Sequence, residues 1–232
     1  MKLLAIDTST EACSAALSIN GEISERYEIA PRKHAELILP MIDELLTDAG
    51  CTLTQMDAIA FGRGPGAFTG VRIGTGVVQG LAFSIDRPVV PVSSLAAMAY
   101  GAMAEFKTDN VLAGIDARMG EVYWGVYQRS ADGGVQLLDD ECVCKPVETF
   151  VPEDTLPESG SWIGAGTAWQ TYGDELIARY KGLFSEHHSE VFPHARDIAA
   201  LGELAVEAGE VVSAEEAQPI YLRNNVVMKK VR

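Results

Sequence analysis

The chain has 232 residues, 18 of them basic and 33 acidic, for a net charge of −15. That length is enough for one large domain or two small lobes around a substantial core. So acidic a chain repels nucleic acid on average, which excludes independent RNA binding unless basic residues concentrate somewhere. Only the tail, with Arg223, Lys229, Lys230 and Arg232, hints at such a patch, and a solvated basic end is the simpler account of it. Cys142 and Cys144 are too close for the usual zinc-ligand spacing, and no His follows them at finger spacing, so with Cys13 and Cys51 they are expected as free thiols. The apolar run before Asp7 is too short for a signal peptide, and no stretch approaches the ~18 apolar residues of a membrane span. A soluble, cytoplasmic chain with no membrane contact is expected.

Residues 3–7 form a short apolar run ending in an acid, as a buried strand does. A second strand is expected over 14–19, a hairpin turn at Asn20-Gly21, and a third strand over 22–29. Helical spacing begins near Lys33, with Leu37, Met41 and Leu45 on one stripe and Ala35, Leu39, Ile42 and Leu46 on another. So wide an apolar face suits a helix that packs on its own sheet and on something else, and Pro40 predicts a kink in it. A strand over 58–62, a glycine loop, a helix over 69–84 and a strand over 88–92 complete a mixed sheet with helices on its faces.

The second half repeats this order. A helix over 94–105 is followed by a strand over 111–116 that ends Ile115-Asp116, echoing Ile6-Asp7, and by another over 121–127. Trp162-Ile163-Gly164-Ala165-Gly166 matches Ala60-Phe61-Gly62-Arg63-Gly64 as a strand entering a glycine turn, with a helix over 167–180 after it. A duplicated βββαβα unit is expected, with an N-terminal lobe over 1–106 and a C-terminal lobe over 107–232. The C-terminal helix and tail are expected to pack back on the first lobe. Residues 152–160, rich in Pro, Glu and Ser, read as a surface loop.

The sharpest motif is Gly62-Arg63-Gly64-Pro65-Gly66-Ala67-Phe68-Thr69-Gly70, between a strand and a helix. Backbone N–H groups of such a loop can cradle an anion, with Thr69 as the N-cap; equally, the glycines can simply permit a tight turn and close packing. No Lys-Ser/Thr pair makes it a Walker A loop. Residues 62–67 read Gly-x-Gly-x-x-Ala, but the ribose-binding acid should end the next strand, and Asp86 precedes it. Asp7-Thr8-Ser9-Thr10 suits a hydrated metal and a phosphate, or merely an Asx turn. Candidate nucleotide contacts are therefore Asp7, Ser9, Gly62, Gly64, Gly66 and Thr69. Asp116 would suit a second phosphate loop, although Ala117-Arg118-Met119 brings no hydroxyl to it.

The helix over 69–84 carries Gly70, Gly74, Gly76 and Gly80, each interior glycine costing about 1 kcal/mol relative to Ala. Close helix contact is the expected compensation. Leu37, Ile38, Met41 and Leu45 of the first helix, with Gly70, Gly74, Val77, Val78 and Leu81 of the second, are the candidate partner interface. No His-Glu-x-x-His, Gly-x-Ser-x-Gly or clustered Cys-His set is present, so no catalytic or metal residue is assigned. His187, His188 and His194 lie in a polar stretch and are expected to be solvated rather than metal-bound.

Four segments carry a family resemblance: residues 4–10, the loop over 62–72, Ile115-Asp116-Ala117-Arg118-Met119-Gly120-Glu121-Val122-Tyr123, and Pro219-Ile220-Tyr221-Leu222-Arg223. Together they resemble the TsaB family, also called YeaZ, which older labels attach to a peptidase class. The resemblance implies an α/β, actin-like and Hsp70-like (ASKHA, ribonuclease H-like) two-lobed fold. It also implies a heterodimer with the catalytic paralogue TsaD, with the ATPase TsaE as a further component and a homodimer when the chain is alone. The expected role is that of a non-catalytic scaffold in the transfer of a threonylcarbamoyl group to adenosine beside the tRNA anticodon, with tRNA met only through the complex. The paralogue's metal-binding His-x-x-x-His pair falls here on Ser94 and Met98, unsuited to a catalytic cation. No tightly bound cofactor is expected beyond ATP or ADP at a subunit junction. An active actin-like ATPase or small-molecule kinase is the alternative, and a metalloprotease a lesser one.

Overall fold

The apolar run at the start of the chain becomes β1 (Lys2–Asp7), the middle strand of a five-stranded sheet, in the computed structural model, which describes residues 1–152 and 162–223. β1 lies antiparallel to β2 (Ala12–Ile19), which pairs with β3 (Glu22–Ile29), and parallel to β4 (Ala58–Gly62), which pairs with β5 (Val89–Val92). Asn20 and Gly21 both take positive φ, 54° and 87°, as the tight turn between β2 and β3 requires. Alternation sends Leu4 and Ile6 to one face of β1 and Leu3 and Ala5 to the other, and both faces are covered. Leu4 and Ile6 meet α1 (His34–Asp48), which has Pro40 inside it, and α2 (Phe68–Ile85). Leu3 and Ala5 meet a helix from the far end of the chain, α6 (Ala195–Ala208). Ala5, Ala16, Ala58 and Ala60 keep that sheet face shallow, and Gly202 of α6 lies against Ala60.

The second sheet repeats the first. β6 (Asn110–Arg118) is central, antiparallel to β7 (Glu121–Arg129), which pairs with β8 (Val135–Leu137), and parallel to β10 (Trp162–Ala165), which pairs with β11 (Phe184–His188). Its order β11-β10-β6-β7-β8 mirrors β5-β4-β1-β2-β3, with the same parallel and antiparallel senses. The expected duplication is thus a feature of the fold. Where α1 stands in the first unit, the second has β9 (Cys142–Cys144), paired with β7, and a 3-10 turn at Pro146–Glu148.

The last helix of each unit crosses over. α3 (Ser94–Glu105) follows β5 yet packs Leu95, Met98, Ala102 and Met103 on Val111, Ala113 and Ile115 of β6, while α6 follows β11 and covers the first sheet. The layers therefore run α1 and α2, first sheet, α3 and α6, second sheet, then α4 (Ala168–Thr171) and α5 (Gly173–Arg179) around Trp124, Trp162 and Trp169.

Several expectations change. The single helix over 167–180 is two short ones, broken at Tyr172, whose φ of −126° is not helical. β8 and β9 were not expected; three residues each, they are too short for a readable period. Thr69 does not cap α2: the helix starts one residue before it, and the cap position is Ala67. Residues 153–160 of the expected loop, and Lys229, Lys230 and Arg232 of the tail, lie outside the described residues. Among the described residues no helix is long and apolar enough to cross a membrane.

Candidate functional site

The C-terminal ends of β1 and β4 bring together Asp7, Ser9, Gly62, Gly64 and Gly66, five of the six expected nucleotide contacts. Four of them meet by packing on one another, while Gly64, at a φ of 91°, faces Ile220 and Val71. A Cβ at Gly62 would overlap the Asp7 carboxylate, one at Gly66 the Ser9 carbonyl, and one at Gly70 the Thr8 carbonyl. Ser9 donates to Asp7 Oδ1 from its N–H at 2.8 Å and its hydroxyl at 2.9 Å, and Ser94 Oγ lies 3.4 Å from Oδ2. Ala67 N–H donates to Ser9 O, and Thr8 Oγ1 to Gly70 O, each at 2.7 Å. Asp7, Thr8, Ser9 and Thr10 are all buried. The glycine cradle is thus filled by the chain's own Asp7 turn, and Thr69 alone among the six is exposed. Burial pushes the Asp7 carboxyl up to about 6, against the opposing pull of the Ser9 hydrogen bonds.

The matching turn of the second unit is more open. Arg118, Met119 and Gly120 take positive φ in succession, and Arg118 donates to Asp116 from its backbone N–H and from Nη1, both at 2.8 Å. Nη2 of the same guanidinium reaches Glu11 of the first unit at 2.9 Å. Arg223 donates to the carbonyls of Ala117 and Arg118 and to Glu121, fastening the end of the described chain across this turn. Arg72 lies 3.7 Å over the Phe68 ring and donates to Tyr221 Oη at 2.7 Å. Phe68, Met119 and Tyr221 are exposed, so an aromatic and arginine patch lies on the surface beside this turn. Phe68 and Arg72 lie in the 62–72 segment, Met119 in the 115–123 segment, and Tyr221 and Arg223 in the 219–223 segment, all singled out in the sequence, but nothing in the sequence joins them into one patch.

Ser94 and Met98, the positions of the paralogue's metal ligands, are both buried in α3. Ser94 faces Asp7, and Met98 packs on Gly166, where a Cβ would stand 2.7 Å from its methyl. The later histidines are not simply solvated. His188 stacks on Phe106 at 3.5 Å between centroids, His194 on Tyr27 at 4.1 Å, and His187 on Trp169 at 5.7 Å.

The expected interface residues divide. Ile38, Met41, Leu45 and Val78 belong to the core between α1, α2 and the first sheet, and Gly70 and Gly74 face Thr8. Those six are internal, because the stripes that the sequence offered to a partner are the ones the sheet takes. Leu37, Val77 and Leu81 are half-buried at the margin. The outward face carries instead Leu39, Gly76, Gly80 and Phe83, the last 72 % exposed, and among the described residues nothing stands within 4 Å of a Cβ built at either glycine.

Residues 23–231 match the family model described as TsaD: tRNA N6-adenosine threonylcarbamoyltransferase. The tRNA threonylcarbamoyladenosine biosynthesis protein TsaB of Escherichia coli K12 is 45 % identical over 231 residues, spanning 100 % of this chain and 98 % of that one. The protein of the same name from Haemophilus influenzae is 42 % identical, over 100 % and 97 % of the two chains. The solved structure of YeaZ from Pseudomonas aeruginosa superimposes with a TM-score of 0.87 at 48 % identity, covering 95 % of this chain and 99 % of that one. With its duplicated, two-lobed, actin-like and ribonuclease H-like fold, the chain belongs to the TsaB, or YeaZ, family.

Proposed function

We propose that this protein acts in the biosynthesis of threonylcarbamoyladenosine in tRNA as a scaffold subunit without catalytic groups of its own. One observation carries the scaffold assignment. α2 holds two glycine rows; Gly70 and Gly74 admit the Asp7 turn, whereas Gly76 and Gly80 face outward, with nothing among the described residues within 4 Å of a Cβ at either. Interior glycines destabilise a helix by about 1 kcal/mol each, so the outward pair suits a surface made for close contact with a second chain. The catalytic paralogue TsaD is the proposed partner there, a second copy of this chain takes its place in isolation, and the ATPase TsaE and tRNA join through the complex, in the cytoplasm. Burial of Ser94 and Met98 favours metal chemistry in the partner rather than here. The filled Asp7 turn favours no tightly held cofactor, leaving ATP or ADP to the subunit junction.

The test is reconstitution of threonylcarbamoyl transfer to unmodified tRNA from the paralogue, the ATPase and threonylcarbamoyl-adenylate, with and without this chain. Sustained turnover is expected only in its presence, and Ser94→Ala or Met98→Ala should leave turnover near normal. Full turnover without the chain, or its collapse on either substitution in a folded protein, would remove the scaffold reading.

A further inference from the structure

Away from the Asp7 and Asp116 turns, two thiols face each other on a short edge strand. β9 pairs antiparallel with β7, setting Cys142 opposite Trp124 and Cys144 opposite Val122. Alternation puts both thiols on one face of the strand and Val143 on the other. The sulfurs share a hydrogen bond across 3.6 Å. Two residues of strand span about 6.7 Å, within the Cα separation that a disulfide bridges. Both cysteines are half-buried at the edge of the Trp124 and Tyr180 cluster, so a small reagent can reach them. The other two differ. Cys13 is buried, its thiol pushed up to about 12 by that burial, and Cys51 has Lys2 Nζ as its neighbour at 3.4 Å, with no second sulfur.

We propose that Cys142 and Cys144 form a thiol–disulfide exchange site that reduces low-molecular-weight disulfides and closes to an intrachain disulfide. The hydrogen bond between them couples the two thiols, lowering Cys142 and raising Cys144, and we take Cys142 as the attacking group and Cys144 as the resolving one, an order that the trapping variants below test. Cys142 thiolate attacks one sulfur of the small disulfide; a mixed disulfide forms, the old sulfur–sulfur bond breaks, and one small thiolate leaves. Cys144 then gives up its proton and attacks Cys142 Sγ, expelling the second small thiolate. Two protein thiols are oxidised, one small disulfide is reduced to two thiols, and the two protons released are taken up by the leaving groups. Closure draws the sulfurs from 3.6 Å to about 2 Å. That shift occurs beside Glu141, which accepts from Ser93 of the first unit and Tyr127 of the second.

The experiment incubates the full chain in oxidised and reduced glutathione at graded ratios, quenches by alkylation, and reads intact mass and peptide maps. The expected product is a chain lacking two hydrogens with Cys142 linked to Cys144. Cys144→Ser, or Cys144→Ala should the first not fold, should trap a glutathione adduct on Cys142. Cys142→Ser should slow modification of Cys144 at least tenfold. The proposal is overturned if both thiols of the folded wild-type chain stay alkylatable at the highest ratio, or if a glutathione adduct accumulates on either without closing.

Discussion

Asp7 is an acid held where water does not reach it, and its cost depends on pH. Burial raises its pKa from 3.8 to about 6, so the folded chain binds the proton more tightly than the unfolded chain does. Stability contributed by that protonated form is then lost as pH rises from about 4 to about 6 and stays lost above. Two pKa units correspond to about 3 kcal/mol. Asp197, raised by burial to about 7, acts with the same sign. Asp7→Asn removes the charge and keeps an oxygen to accept from Ser9, so urea unfolding near pH 7.5 should show a chain about 1–3 kcal/mol more stable than wild type. Near pH 4 the two should differ little. A variant weaker than wild type at the higher pH, with its fold intact, would mean that the Ser9 and Ser94 contacts outweigh desolvation.

At the scale of elements, α2 separates what a glycine does for its own chain from what it leaves for another. A Cβ at Gly74 would stand 2.7 Å from Thr8 Oγ1, while the space at Gly80 is open. Gly74→Leu should therefore destabilise the fold by a few kcal/mol through overpacking. Gly80→Ala should stabilise it by about 0.5–1 kcal/mol, and Gly80→Leu should fold yet bind the paralogue at least tenfold more weakly, as read by calorimetry. Unchanged affinity in folded Gly80→Leu would take this face out of the interface.

The spacing of four between those glycines is legible in the sequence; which row points inward is not, because it depends on where the Asp7 turn lies, some sixty residues earlier. The same limit explains Ile38, Leu45 and Val78. Their periodicity announces a wide apolar face, but only the sheet decides that it is filled from within. β1, β4, the Asn20-Gly21 turn and the repeated Ile-Asp strand end were readable because local pattern and tertiary role agree there. β9 and the Phe68–Arg72–Tyr221 cluster were not, being made by contacts between distant segments.

In the whole molecule the two units are joined by exchange of their last helices. The inner face of the first sheet, with Leu3, Ala5, Ala58, Ala60 and Val90, is covered by Ala195, Ile198 and Ala199 of α6. α3, from the first unit, buries Leu95, Met98 and Met103 against the second sheet. A cut after residue 106, where the sequence repeat divides, therefore strips the first sheet of its inner cover and leaves α3 with an apolar face in water. Burial of apolar side chains contributes about 1.5–3 kcal/mol each, and domain stability is only about 5–15 kcal/mol, so losing one whole face exceeds the margin. Residues 1–106 expressed alone should lack a cooperative urea transition and should expose apolar surface to a dye such as ANS. Mixing with residues 107–232 should restore one cooperative transition, because both crossed helices then recover their sheets. A sharp, independent transition for residues 1–106 alone, without dye binding, would show that the exchanged helices decorate two self-sufficient lobes rather than hold one molecule together.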